Sequence, residues 1–91
     1  MGCGCNKKSP EFDCSGYSVS DLYIYLSQYQ CVKSNNKYTQ VDMTEVYVTT
    51  RINNLLGAIQ NIENGGNISS FCMELINNII PDTQKMYNNG C

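Results

Sequence analysis

Residues 41–64 read VDMTEVYVTTRINNLLGAIQNIEN, and this stretch decides the fold because its apolar side chains recur every three or four residues. That spacing places them on one face of an α-helix. They are Val48, Ile52, Leu55, Leu56, Ile59 and Ile62. Asp42 and Glu45 stand at the positions of a capping box, and Gly65 with Gly66 supplies a stop. The pattern predicts a helix over residues 43–64.

One part of this stretch carries a competing signal. Residues 46–50 are β-branched or aromatic, which favours a strand. The helical spacing continues through them, so a helix is the prediction and a strand over residues 46–50 is the open alternative.

Two further helical segments flank the central one. Ser20 is an N-cap residue for a helix to about Ser34. The inward face of that helix would hold Leu22, Tyr25, Leu26 and Tyr29. A third helix is predicted from Ser69 or Ser70, with Phe71, Cys72, Leu75, Ile76 and Ile79 on its apolar face. Pro81 is expected to break it and to start a short fourth helix over residues 81–88.

Residues 1–16 differ from the rest because they hold three cysteines, three glycines and a proline without any apolar periodicity. The sequence therefore predicts an irregular arm over 1–16 and a small helical domain over 17–91. The fold class is all-α, a small bundle of three to four helices with an irregular Cys/Gly-rich N-terminal arm. A chain of 91 residues buries little surface, so we expect help from a metal, disulfides or neighbouring subunits.

Composition excludes several functions. The net charge is −2 and Arg51 is the one arginine, so no basic surface is predicted for direct nucleic-acid binding. No apolar run approaches the roughly 20 residues of a membrane span, and no secretory signal follows Lys7 and Lys8. We therefore expect synthesis in a reducing cytoplasm, with the cysteines initially as thiols.

An enzymatic role is not expected. The chain has no histidine, and its eight acidic residues occur singly along the sequence. A reactive thiol at Cys3 or Cys5 would have Lys7 and Lys8 as its only close cations. We interpret the protein as non-catalytic, with thiol exchange as a minor alternative.

The arm offers two kinds of cysteine chemistry. Cys3, Cys5 and Cys14 form a C-x-C-x8-C pattern whose thiolates suit zinc, although a fourth ligand would have to come from elsewhere. The candidates for it are Cys31, Cys72, Cys91 and Asp13. Alternatively, the six cysteines form disulfides, for which 15 complete pairings exist. Cys91 suits a terminal clasp, whereas Cys72 on an apolar face reads as a small buried side chain.

Residues 1–5, Met-Gly-Cys-Gly-Cys, resemble the doubly acylated N-terminus of lymphocyte Src-family kinases. The resemblance implies myristate on Gly2, palmitate on Cys3 and Cys5, and a membrane-anchored adaptor. Asn6 stands where the myristoylation pattern has Ser or Thr, and no kinase domain follows.

The Gly/Cys and Lys start, joined to an Asn/Tyr/Ile-rich helical body, is similar to small virion proteins of AT-rich tailed bacteriophages, including crAss-like phages. This resemblance implies an auxiliary capsid or head–tail component, made in the host cytoplasm and located in the virion. Its partners would be other structural proteins, in multiple copies, and it would need no cofactor.

The sequence thus predicts a structural protein that acts through protein–protein contacts. Tyrosine gives rigid contact area with a polar tip, so the predicted interface residues are Tyr23, Tyr38, Tyr47 and Tyr87. The alternatives are a small zinc-binding module built on the N-terminal cysteines and an acylated, membrane-anchored adaptor.

Overall fold

A computed structural model describes residues 14–91, and this part of the chain is entirely helical, without strands. Helix α1 spans Val19–Ser34 and helix α2 spans Glu45–Glu63. A third continuous segment, α3, covers residues 68–88. It consists of a 3-10 turn at Ile68–Phe71, an α-helical turn at Cys72–Glu74, a π-helical turn at Leu75–Ile79 and an α-helix at Ile80–Asn88. The all-α prediction is confirmed for the described residues.

Helix α1 begins two residues before the predicted start. Ser18, not Ser20, is the N-cap, and its backbone N–H donates to the Asp21 carboxylate at 2.9 Å. That carboxylate also suits the positive end of the helix dipole. The helix ends at Ser34, as predicted, and the backbone N–H of Asn35 donates to the Cys31 carbonyl at 3.0 Å.

Helix α2 is capped by Thr44, whose hydroxyl accepts from the Tyr47 backbone N–H at 3.0 Å. The predicted cap, Asp42, is wrong: this residue lies in the preceding turn with a φ of 58°. Left-handed backbone of this kind is more accessible to Asp than to most residues. The strand alternative for residues 46–50 is also wrong, because they form the first turns of α2.

Pro81 does not break the third segment, contrary to the sequence prediction. A proline removes one N–H and crowds the carbonyl four residues earlier. Here a π-helical turn precedes it, and the Ile80 N–H donates to the Leu75 carbonyl five residues back. The wider turn shifts the hydrogen-bonding register before the proline, so the helix continues to Asn88. The predicted fourth helix is therefore the C-terminal part of α3.

The helices surround one apolar core. Its fully buried side chains come from all three helices and from the turn before α2: Leu22, Tyr29, Val32, Val41, Val48, Leu55, Leu75, Ile79 and Met86. Helix α1 packs most extensively on α2, and α3 completes the core.

Two disulfides join α1 and α3 at both ends. Cys14, just before α1, pairs with Cys72 near the start of α3, and Cys31 in the last turns of α1 pairs with the C-terminal Cys91. The two helices therefore run in the same direction. Helix α2 lies between them in the sequence and leads the chain back from the end of α1 to the start of α3. The disulfide alternative therefore holds for these four cysteines, and Cys72 is buried as expected but is cross-linked.

No helix within residues 14–91 is long and apolar enough to cross a membrane. The arm over 1–16 falls mostly outside the described residues, and the division of the chain at residue 16 remains a prediction.

Each disulfide closes a loop of about 60 residues, with sequence separations of 58 and 60. Replacing both members of one pair by serine should lower the free energy of unfolding by about 2–4 kcal/mol, because the unfolded chain regains conformational freedom. Urea unfolding of Cys14→Ser/Cys72→Ser and of Cys31→Ser/Cys91→Ser measures this. Equal stability of the oxidised and reduced wild-type protein would contradict the prediction.

Candidate functional site

A buried carboxylate joins the three helices. Asp82, on α3, is only 7% exposed, and its Oδ2 atom accepts hydrogen bonds from the hydroxyls of Tyr29 and Tyr47, each at 2.6 Å. Tyr29 lies on α1 and is fully buried, whereas Tyr47 lies in the first turn of α2 and is half-buried. A buried charge without such donors is costly, so the three residues stabilise one another.

Both phenols keep their protons at neutral pH. Burial, followed by the hydrogen bond to Asp82 and the negative charge of its carboxylate, raises the pKa of Tyr29 far above its usual value. The same causes raise the pKa of Tyr47. Neutral phenols are hydrogen-bond donors, so this cluster acts by holding helices together.

A second polar cluster lies on the same side of α2. The Arg51 Nη1 atom is 2.7 Å from the Glu74 Oε2 atom, which also accepts from the Asn54 amide at 2.9 Å. The Arg51 guanidinium lies over the Tyr47 ring, 4.9 Å from its centroid. Tyr47 thus connects the two clusters, and the Arg51–Glu74 pair ties α2 to α3 a second time.

A pocket of about 310 Å³ opens beside the carboxylate cluster. It lies between the turn before α2 and the C-terminal part of α3. Two acids and one base are among its six lining residues, which are Asp42, Met43, Thr44, Tyr47, Asp82 and Lys85. A buried acid of the described chain therefore lines an open pocket.

The four predicted interface tyrosines occupy different environments. Tyr87 is 74% exposed and Tyr23 is 46% exposed, so both are available for contacts. Tyr38 packs against the core, and Tyr47 is engaged by Asp82. The role of the four as contact residues remains a prediction.

The outer face of the α1–α2 pair carries its own defined contacts. The Tyr23 hydroxyl donates to Glu63 at 2.8 Å at one end, and the Lys33 ammonium donates to the Thr49 hydroxyl at 3.2 Å at the other. Leu56 is seven residues from both Thr49 and Glu63, so it lies on the same stripe of α2, and it is 46% exposed. We call these five residues the α1–α2 face.

The zinc prediction concerned Cys3, Cys5 and Cys14. Cys14 forms the disulfide with Cys72, and a disulfide sulfur is not the thiolate that zinc requires. Cys3 and Cys5, together with the predicted acylation site at Gly2, lie outside the described residues. Within residues 14–91 there is no group of three Cys, Asp or Glu side chains arranged to hold a metal ion.

Sequence reasoning missed the carboxylate cluster. The apolar spacing predicts Tyr29 on an inward face, but no sequence spacing links Asp82 to tyrosines 35 and 53 positions away. The usable signal was Asp82 on a segment otherwise rich in apolar residues, because a buried acid requires donors.

No protein family, no curated protein and no solved structure matches this chain.

The Tyr29→Phe variant should lose about 2 kcal/mol of unfolding free energy, because Asp82 keeps its buried position with one donor fewer. Tyr47→Phe should cost less, since water reaches its half-exposed hydroxyl site. Urea unfolding checks both, with Tyr25→Phe as the matched control, because no described residue bonds to the Tyr25 hydroxyl. Equal losses for Tyr25→Phe and Tyr29→Phe would contradict the assignment.

Stability should fall above about pH 10. The folded-state pKa of Tyr29 is raised above the ordinary value of 10.0, so its contribution is fully present below pH 10. Above pH 10 the unfolded chain releases this proton while the folded protein retains it, which costs about 1.4 kcal/mol per pH unit. Tyr47 acts in the same direction. Unfolding free energies at pH 9, 10 and 11 should show a shallower decline for Tyr29→Phe than for the wild type, and parallel declines would refute this account.

Proposed function

We propose that this chain is a non-catalytic structural protein that acts by binding other proteins in a large assembly. The observation that carries the proposal is a cross-linked helical body with large apolar side chains left in solvent. Val46 is 76% exposed, Tyr87 74% and Met73 65%. Single exposed apolar side chains are ordinary on protein surfaces. In a domain this small, however, several exposed apolar side chains spread over all three helices add nothing to the stability of the fold and are available to a partner.

The α1–α2 face is the best-formed contact surface. Tyr23 and Leu56 are each 46% exposed, and the Tyr23–Glu63 and Lys33–Thr49 hydrogen bonds hold the surface across both helices. A fixed aromatic ring beside an aliphatic side chain binds a partner without a large loss of side-chain entropy. We also propose that the three helices form a bundle and that the N-terminal arm is a second contact element.

The assembly that we propose is a virion, in line with the compositional resemblance to small proteins of AT-rich tailed phages. Disulfides are rare in the cytosol and persist in oxidising surroundings, which include virion surfaces. The Cys14–Cys72 and Cys31–Cys91 disulfides support a location of the mature protein in oxidising surroundings. Synthesis in a host cytoplasm would then precede their oxidation.

Gradient sedimentation of material from the natural source, followed by non-reducing mass spectrometry, tests the proposal. We expect the chain in fractions of large particles, in several copies, together with other structural proteins. Recovery of the chain as a free monomer, with particles lacking it, would overturn the virion proposal.

Tyr23→Ala and Leu56→Ser should each weaken incorporation into the assembly by at least about tenfold, because central anchor residues carry most of the binding energy. Gln84→Ala, a change at an exposed position on α3 and not on this face, is the matched control. Thermal unfolding of each isolated variant separates a binding defect from a folding defect. Wild-type incorporation of both variants would exclude the α1–α2 face as the contact.

A further inference from the structure

We propose that the pocket beside Asp82 is a binding site for an alkylammonium group. This proposal is independent of the virion assignment, because it rests on a cavity on the α2–α3 side of the molecule and not on the α1–α2 face.

Only one oxygen atom of the Asp82 carboxylate is engaged by the described chain. Its Oδ2 atom accepts from both phenols, whereas no group within residues 14–91 donates to Oδ1. Oδ1 is not among the fully enclosed, unpartnered side-chain polar atoms of that region, where Arg51 Nε is the one example. Asp82 is 93% enclosed and lines the pocket. A carboxylate oxygen of this kind accepts from a cationic donor at short distance.

The residues that line the pocket carry a net negative charge. Asp42 and Asp82 are two acids against one base, Lys85, and no ion pair joins Lys85 to either acid. The wall therefore carries one formal negative charge that the described chain does not neutralise locally. Glu45, in the first turn of α2, adds negative charge where the helix N-terminus would otherwise favour an anion.

The size and lining of the pocket suit a small alkylammonium ion. A volume of about 310 Å³ exceeds the space that a four-carbon amine needs, and the Met43 thioether and the Tyr47 ring offer apolar contacts for its chain. Tyr47 is already fixed by its bond to Asp82, so this part of the wall is ordered before binding. An ammonium group on an alkyl chain matches both the charged end and the apolar side of the pocket.

The experiment is an NMR titration of the oxidised, full-length protein with n-butylammonium chloride at constant ionic strength. We expect saturable shifts of the backbone amides in residues 42–47 and 82–86. The neutral analogue 1-butanol and the anion butyrate should cause none. Absence of saturation, or equal binding of 1-butanol, would overturn the proposal.

Variants test the assigned groups. Asp82→Asn should weaken butylammonium binding by at least about fivefold, and its amide oxygen can still accept from the two phenols. Asp42→Asn should act in the same direction and should fold, because Asn tolerates the left-handed φ of 58° at this exposed position.

Lys85→Gln should tighten binding. Glu63→Gln makes the same charge change as Asp42→Asn on the α1–α2 face and should leave affinity unchanged. Wild-type affinity in folded Asp42→Asn would refute the site.

An alkylammonium group occurs in free amines and in lysine side chains, and a second titration separates these sources. Tighter binding of N-acetyl-lysine N-methylamide than of butylammonium would assign the pocket to a lysine of a partner protein. Equal or weaker binding of the lysine derivative would assign it to a small free amine.

Discussion

The hydrogen bonds from Tyr29 and Tyr47 to one oxygen of Asp82 are the constraint on which the arrangement of the helices depends. Each of the three residues belongs to a different helix, and each distance is 2.6 Å. Apolar packing tolerates small shifts of one helix against another, whereas two charge-assisted hydrogen bonds to a single atom fix three helices at one point. The chain therefore combines an apolar core with a polar contact that holds all three helices at one point.

The disulfides and the carboxylate act at different places on the same pair of helices. The cross-links hold the two ends of α1 and α3, while Asp82 and Tyr29 join the same helices between those ends. Helix α2 carries no disulfide. Apart from the backbone on either side, it is held by noncovalent contacts: the core, Tyr47, the Arg51–Glu74 pair and the hydrogen bonds of the α1–α2 face.

Much of the fold could be predicted from the sequence, because periodic apolar residues report on local structure. The spacing of Val48, Leu55 and Ile59 identified α2 even though its start is β-branched, since core packing outweighs the strand preference of a few residues. The end points were less accurate: Ser18 and Thr44 cap the helices in place of Ser20 and Asp42, because several adjacent residues could serve. The prediction at Pro81 failed because a rule for regular α-helices does not include a π-helical turn that absorbs the proline.

The candidate site was less accessible to sequence reasoning. Six cysteines have many pairings, and only the three-dimensional structure brings Cys14 to Cys72 and Cys31 to Cys91. The environment of Asp82 depends likewise on residues far away in sequence. Tyr23 and Tyr87 could be identified as exposed aromatic residues only after the helix faces were assigned, and Tyr47 illustrates the difficulty because it satisfies a buried acid instead.

The two crossed disulfides also determine how the molecule carries mechanical load. A force applied between Cys14 and Cys91 has two covalent routes of similar length: along residues 14–31 and through the bond to Cys91, or through the bond to Cys72 and along residues 72–91. The section between residues 31 and 72, which contains all of α2, is a third and longer route between the same two ends, from Cys72 beside Cys14 to Cys31 beside Cys91, so it stays slack. The protein can therefore act as a short, two-stranded tether while α2 remains folded or unfolds without lengthening it.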